Sequence, residues 1–280
     1  MSQPSKSLDN SEIVVTGLIT VYNGASHIAQ SIESLLMQSL RNIEVLVIDD
    51  CSSDSTVDVI KSIDDSRVRL IASKERLKRA KALMLGCDEA KGQFIAILDA
   101  DDYAYPERLE KQVAFLHDNP ECVWVGSAEE RVDSQRHEHV VRQYPLNDEG
   151  MRRMASKCIP YCHSAVMFRK NLIEQGHNYD PSVPYLIDFE FFIRVARLGK
   201  VANLPDKLAK RDIRHESYFQ GQFKRKDQNR YLAQLGLKAV SEFKLPPWYA
   251  FNPLARLVYP RLPVFMQKLA RFMGGIKDKG

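Results

Sequence analysis

Two kinds of hydrophobic pattern alternate along the chain. Apolar-rich runs occur at Ile13–Ile19 (IVVTGLI), Ile43–Ile48 (IEVLVI), Arg67–Ala72 (RVRLIA) and Phe94–Leu98 (FIAIL). Between them, apolar residues recur at helical spacing: Ile28, Ile32, Leu35 and Leu36, then Val59, Ile60 and Ile63, then a segment from about Leu77 to Ala90 that Lys91 and Gly92 close. Runs that are apolar at nearly every position are strands buried on both faces, and helices between them make parallel crossovers. The pattern therefore predicts an α/β fold, a mostly parallel sheet with helices on both faces. Ser26 is the expected N-cap of the first helix. Pro106 falls in the first turn of a helix carrying Leu109, Val113 and Leu116.

In such sheets ligands bind beyond the carboxyl ends of the strands. Thr20, Tyr22 and Asn23 follow the first strand, Asp49 and Asp50 the second, and Asp99, Asp101 and Asp102 the fourth. Helix caps and turns would account for one acid per loop, with Asp54 and Asp102 as the candidates. Three carboxylates in four positions ask for more, because close carboxylates raise one another's pKa unless a cation lies among them. A divalent ion is the economical explanation, and oxygen-only ligands favour Mg²⁺ or Mn²⁺. The sequence has no G-x-x-x-x-G-K-[ST] loop, and no G-x-G-x-x-G follows the first strand. This argues against P-loop nucleotide hydrolysis and dinucleotide-dependent hydride transfer, and leaves a ligand phosphate to be held through metal.

Composition changes this picture little. At 280 residues, 44% hydrophobic and 27% charged, the chain can form one large domain or a domain with an appendage. No stretch approaches the roughly 18 apolar residues of a membrane-spanning helix. The start, MSQPSKSLDNSE, lacks a signal's apolar core. Five unclustered cysteines suit reduced thiols and a cytoplasmic setting. Cys158, Cys162 and His163 lie close in sequence, but no fourth ligand stands at matched spacing. Charge is the informative quantity: residues 206–280 hold 16 Lys+Arg against 6 Asp+Glu, a local +10, so the first 205 residues carry −6 within a net +4.

Three segments in order and spacing, TVYNGASHIAQSIESLLMQ, IEVLVIDDCSSDST and AKGQFIAILDADD, resemble the nucleotide-binding half of family 2 glycosyltransferases with the GT-A fold. The resemblance continues through HSAVMFRK (His163–Lys170) and DFEFFIRVARLGKVANLP (Asp188–Pro205), and covers roughly residues 12–216. It implies a nucleotide-binding half (12–104) and an acceptor half (105–216), with a flexible tail (1–11) before them and a basic amphipathic helical region (217–280) after them. It further implies an inverting transfer of a sugar from a nucleotide-diphosphate donor, UDP-sugar first, to a glycan or lipid-linked glycan hydroxyl. Thr20, Tyr22 and Asn23 would contact the nucleotide, and Asp50 with Asp49 would accept hydrogen bonds from the base. Asp99 would lie towards the ribose, and Asp101 would bind Mn²⁺ or Mg²⁺. His215 would complete the metal shell or contact the diphosphate. Asp188 is the implied general base, with Glu190 the alternative unless it pairs with Arg194. His163 matches the family with its role open.

The chain also departs from the family. Ile187 stands where an acid usually precedes the base, and Leu83 and Met84 replace an Arg-Asn pair. One of Lys78, Arg79 and Lys81 is expected to reach phosphate in its place, the rest forming a solvated helix face. Asp188 is equally placed to cap the helix carrying Phe189, Phe192, Ile193 and Ala196. A non-catalytic relative that keeps nucleotide binding is therefore the alternative function. A nucleotidyltransferase would need a Gly-rich loop that is absent.

After Pro205, FKRKDQNRYLAQLGLKAVSEF reads as a helix with a basic start, ended by Pro246 and Pro247. The segment beyond it combines Trp248, Tyr249, Phe251, Leu254, Leu257, Phe265, Leu269 and Phe272 with Arg and Lys. Aromatics with cations suit an anionic membrane surface, here the cytoplasmic face of an inner membrane. The same residues could instead pack on the catalytic domain or on a second copy of the chain. No nucleic-acid reading module is present.

Overall fold

The computed structural model describes residues 13–133, 137–212 and 226–258. The predicted β/α alternation forms as β1 (Val15–Val21), α1 (Ile28–Leu36), β2 (Ile43–Asp49), α2 (Thr56–Lys61), β3 (Val68–Ala72), α3 (Lys78–Glu89) and β4 (Phe94–Asp99). Strands β3, β2, β1 and β4 lie side by side and parallel. Alternate residues of each strand serve opposite faces. Leu18, Leu46, Ile48, Ile95 and Ile97 enter one core cluster, while Ile19, Val45, Val47, Ala96 and Leu98 enter the other. Close approach of the layers depends on glycine twice. A Cβ at Gly86 of α3 would stand 2.4 Å from Leu18, and one at Gly92 would stand 2.4 Å from the backbone nitrogen of Thr16.

The second half extends the same sheet with β5 (Asp102–Ala104), α4 (Arg108–Asp118), β6 (Cys122–Asp133), β7 (Glu138–Arg142), α5 (Asp148–Ala155), β8 (Met167–Arg169), α6 (Asn171–Glu174), α7 (Ile187–Val195) and β9 (Lys200–Asp212). The order across the sheet is β3-β2-β1-β4-β8-β6-β9-β5, with β7 on β6. Strand β8 runs antiparallel to β4 only from Phe94 to Ala96. One further backbone bond joins Ile97 N to the Val166 carbonyl at 3.0 Å, and the fully buried Arg108 donates to the carbonyls of Ile97 (2.8 Å) and Val166 (3.1 Å). Burial lowers the Arg108 titration to about 10. Helix α7 is fixed by aromatic packing: Trp124 lies 5.5–6.1 Å from the rings of Phe168, Phe191 and Phe192. Removing one such ring typically costs about 3–5 kcal/mol.

The C-terminal region packs in part on the rest of the molecule and in part stays exposed. Helix α8 (Lys226–Glu242) packs back, burying Leu232, Ala233, Leu235 and Ala239. It stops at Lys244, whose φ of 51° is left-handed, two residues before Pro246. Helix α9 (Phe251–Val258) buries Pro253 against α8 but leaves Phe251 73% and the preceding Trp248 71% exposed, with Leu254 and Val258 beside them. Phe265, Leu269 and Phe272 lie outside the described residues. Among the described residues no helix is long and apolar enough to cross a membrane.

Several expected caps are placed differently. The N-cap of α1 is His27, without a side-chain bond to the helix, and Ser26 instead bonds the His27 ring at 2.9 Å. Pro106 sits in the turn before α4, whose N-cap is Glu107. Asp102 caps no helix, since it lies in β5. The N-cap of α7 is Leu186, so Asp188 falls inside the first turn.

Candidate active site

Strand register brings the sequence-predicted residues to one edge. Thr20 is level with Asp99 on β4, and Val21 with Asp49 on β2. The loops after β1 and β2 are joined by hydrogen bonds. Asn23 N donates to Ser52 Oγ (2.9 Å), Ser53 N to Asn23 Oδ1 (2.8 Å), Gly24 N to Thr56 Oγ1 (2.8 Å) and Ala25 N to Asp54 Oδ2 (3.2 Å). Asn23 (φ 51°) and Cys51 (φ 60°) adopt left-handed backbone to allow this, a conformation costing other residues of order 1–3 kcal/mol. Asp54 also accepts from Thr56 N at 3.0 Å and from the Thr56 hydroxyl, so it clasps the loops instead of capping α2, whose N-cap is Ser55.

The two acids ending β2 differ. Asp49 Oδ2 accepts from Ser52 N (3.0 Å), while Oδ1 is buried with no hydrogen-bond partner. Asp50 is buried and fully engaged: Oδ1 accepts from Leu77 N (2.5 Å), Oδ2 from Lys78 N (3.1 Å), and Oδ2 pairs with Arg76 Nη1 at 2.8 Å. The Arg76 guanidinium carbon lies 3.3 Å from the centre of the Tyr22 ring. Tyr22 itself is 47% exposed.

At the end of β4, Arg79 Nη2 donates to Asp99 Oδ1 at 2.6 Å and approaches His163 Nδ1 at 3.1 Å. His163 Nε2 is 3.0 Å from the Tyr179 hydroxyl. Burial alone would raise Asp99, but Arg79 and then His163 outweigh it and hold the carboxyl well below the usual range. Asp102 is buried and bonds the Ser164 hydroxyl and, at 3.4 Å, Arg211 Nε. Burial pushes it well above the usual range, with the charges of Asp99 and Asp101 adding to that and Arg211 opposing it. Arg211 also reaches Glu129 at 3.4 Å. Cations do lie among the acids, and they are arginines. The repulsion that suggested a divalent ion is thus largely answered by protein side chains. Asp101 differs, being exposed and without a hydrogen-bond or ion-pair partner among the described residues.

Helix α7 carries Asp188 in its first turn, two residues after Leu186, which is in left-handed conformation (φ 50°). The charge of Asp188 acts on Arg79, Tyr161 and Tyr179. Burial and then that charge push the Tyr161 hydroxyl well up. Glu190 does not join this group. It is buried against Arg194 (2.8 Å) and Lys238 of α8 (3.0 Å), the first being the i, i+4 pairing its spacing allowed.

Of the three basic residues before α3's apolar stripe, Arg79 reaches the acids. Lys78 contributes its backbone N–H to Asp50, and the Lys78 and Lys81 side chains are exposed. Leu83 is buried, and Met84 and Ile187 are partly buried against the same core, so apolar packing replaces the family's polar groups at these positions. Cys162 is buried, and no group of three or more metal-ligating side chains occurs among the described residues. His215 lies outside the described residues. Sequence reasoning missed Arg76, Tyr179 and Arg211. Tyr179 carried no motif, Arg211 lay in a basic run, and Arg76 stood three residues before the basic residue that was singled out.

A sheet of this order, with acids gathered at the carboxyl ends of β2 and β4 and a second group of side chains facing them from α7, is the GT-A fold of glycosyltransferases. The pattern described as "Glycosyl transferase family 2" matches residues 17–176, and the chain belongs to that family. EpsE of Bacillus subtilis is 30% identical over 264 residues, covering 90% of this chain and 91% of that protein. The amylovoran biosynthesis glycosyltransferase AmsE of Erwinia amylovora is 30% identical over 69% of this chain and 74% of its own. An uncharacterized glycosyltransferase of Haemophilus influenzae is 29% identical over 70% of this chain, a match that spans 64% of that relative's length. Among solved structures, residues 1–349 of S. aureus TarS in complex with UDP-GlcNAc align with a TM-score of 0.69 at 16% identity, covering 91% of this chain and 77% of that one. The mannosyltransferase PcManGT of Pyrobaculum calidifontis, in complex with GDP-Man and Mn²⁺, aligns at 0.64 and 18% identity, covering 98% and 84%. At these identities the structures establish the fold.

Proposed function

We propose that the chain is a metal-dependent, inverting glycosyltransferase that moves a hexosyl or N-acetylhexosaminyl group from a UDP-sugar to a hydroxyl of a polysaccharide or lipid-linked glycan. The observation that carries this reading is the position of Arg79. It bonds Asp99 on the donor side and feels the charge of Asp188 on the acceptor side, so a sugar diphosphate held there would present its anomeric carbon to both. In the proposed reaction Asp188 takes the proton of the acceptor hydroxyl as its oxygen bonds the anomeric carbon. The bond from that carbon to the diphosphate breaks, and Arg79 stabilises the leaving nucleotide diphosphate.

Asp101 fits a hard divalent ion: it is an exposed carboxylate with no partner among the described residues, of the kind that holds Mg²⁺ or Mn²⁺ together with substrate phosphates. Such an ion would neutralise charge on the departing diphosphate. Asp99 is engaged by Arg79, and His215 would be a further ligand. The UDP-GlcNAc and GDP-Man/Mn²⁺ complexes of the structural neighbours support the ligand class, and AmsE supports a polysaccharide product. Exposed Trp248, Phe251, Leu254 and Val258 beside a basic C-terminal quarter support peripheral contact with an anionic membrane on the cytoplasmic side. The apolar Leu83, Met84 and Ile187 favour the second reading, a nucleotide-binding relative without turnover.

The test is sugar transfer or donor hydrolysis from UDP-sugars with Mn²⁺, with chelator, and in Asp188→Asn. Loss of about 10³-fold in turnover in the variant, with UDP affinity unchanged and the wild-type rate abolished by chelator, is expected. A wild-type chain that binds UDP but turns over no donor would make the second reading the correct one.

A further inference from the structure

We infer that His163 is a positioning residue that keeps Arg79 open to the donor diphosphate. Its ring carries the proton on Nε2, gives it to the Tyr179 hydroxyl, and offers the Nδ1 lone pair to one N–H of the guanidinium. This rests on the diphosphate role proposed for Arg79 above and assigns the residue that sustains it.

The contacts of Arg79 show that Asp99 has a competitor for it. An arginine facing a carboxylate frequently engages it through two parallel N–H bonds. Arg79 instead gives Asp99 one hydrogen bond, from Nη2 at 2.6 Å, and the same nitrogen lies 3.1 Å from His163 Nδ1. A terminal guanidinium nitrogen carries two hydrogens, so Nη2 can serve both partners and has none left. Nη1 and Nε have no protein partner among the described residues, and the side chain is half-exposed. The donors that a second bond to Asp99 would consume are therefore free for phosphate oxygens.

The position of the ring proton follows from the neighbours. Which nitrogen of a histidine holds the proton is set by the hydrogen bond the other makes. Nδ1 faces an arginine N–H, which makes it the acceptor. Asp99, the group that would ask for a proton there, is 3.6 Å from Nδ1, outside hydrogen-bond reach. Nε2 then bears the hydrogen and donates to the Tyr179 hydroxyl at 3.0 Å. Both sides of the histidine are anchored. Tyr179 is buried, its ring centre 4.4 Å from that of Phe191 on α7. The backbone is pinned at the next residue, where Ser164 Oγ bonds Asp102 and accepts from Asp99 N at 3.3 Å. A ring held in this way cannot swing aside to let the guanidinium close on Asp99.

The experiment uses the full chain with Mg²⁺, which is diamagnetic. Nitrogen-15 spectra at about pH 8, above the ordinary histidine range, should show the His163 ring as the Nε2–H tautomer, its signals identified by their loss in His163→Asn. Calorimetry with UDP and with uridine follows in wild type, Arg79→Ala, His163→Ala, His163→Asn and the double alanine variant, each first checked by thermal unfolding. His163→Ala should weaken UDP about tenfold, the size of one hydrogen bond to a charged group, and uridine less than about twofold. It should add nothing in the Arg79→Ala background, since the histidine acts through the arginine. His163→Asn keeps an acceptor oxygen near the Nδ1 position and should restore most of the UDP affinity. If the alanine variant unfolds, Tyr179→Phe removes only the hydroxyl that fixes the ring and should give the same pattern at smaller size. A ring protonated on Nδ1, alone or together with Nε2, would overturn the inference. So would unchanged UDP binding in His163→Ala, an equal loss for uridine, or losses that add in the double variant. A wild-type chain that binds uridine as well as UDP would overturn the diphosphate role of Arg79 together with the inference, and one that binds neither would overturn the donor reading as well.

Discussion

Asp99 at the end of β4 and Asp102 at the start of β5 stand three residues apart, are both paired with arginine, and titrate in opposite directions. Burial pushes each of them up. Asp99 has a guanidinium at 2.6 Å and His163 beyond it, and ends as a firm anion at the mouth of the site. Asp102 has its guanidinium at 3.4 Å and two like charges nearby, and ends as a carboxyl favouring its proton beneath the mouth. Cations outweigh burial at Asp99, whereas at Asp102 burial and two neighbouring carboxylates outweigh the one arginine. The outer pair is partly open to solvent, whereas the inner one ties β5, β9 and the turn at Ser164 together.

The sharpest way to break this contrast is to remove each arginine. Arg211→Ala takes the cation from buried Asp102 and one of two arginines from the fully buried Glu129, which keeps Arg131 at 2.8 Å and the Tyr144 hydroxyl at 2.6 Å, and should cost about 3 kcal/mol of unfolding free energy, measured by urea titration. A loss below 1 kcal/mol would show that the inner pair ties nothing. Arg79→Ala should cost less than about 1 kcal/mol of stability, because its side chain is 46% exposed. It should nevertheless lower kcat/KM for donor by about 10–100-fold through loss of a diphosphate donor. Equal stability losses in the two variants would erase the distinction.

The smallest effect tests the rule away from the mouth. Glu130 is held by the Tyr105 hydroxyl, by His139 at 3.1 Å and by Lys207 at 3.1 Å. The Tyr105 bond comes first among the causes that lower its titration to about 2 from 4.5. Its folded pKa is depressed, so its contribution is complete above about pH 4.5 and is lost as pH falls towards 2. The stability gap between wild type and Glu130→Gln should therefore close on acidification across that window. A gap that widens would mean the partners are not made in solution.

The first half of the molecule was legible because its signals are local. Fully apolar strands, helical spacing between them and acids at strand ends fix β1 to β4 within about two residues, and they bring Thr20, Asp49, Asp50 and Asp99 to one edge. Asp188 was legible through a motif alone. The arginines were not, because what matters is where a long side chain ends. Arg79 and Lys81 look alike in sequence and both are exposed, yet Arg79 bonds Asp99 and Lys81 has no such partner among the described residues. Counting carboxylates likewise cannot reveal that Arg211 arrives beside Asp102 from a strand 109 residues later. The caps of α1 and α7 slipped by a residue or two because loop-to-loop bonds and a left-handed Leu186, not side-chain capping, set those ends.

The bonds that close the loop after β1 onto the loop after β2 have a consequence for how fast and how cheaply a ligand can be taken up. Asn23, Gly24 and Ala25 already have their amides satisfied by Ser52, Thr56 and Asp54. Little chain entropy is therefore left to lose there when a nucleoside arrives, and ordering each backbone residue afresh would cost about 1–2 kcal/mol. A ligand taken up at this edge would meet a backbone that is already ordered.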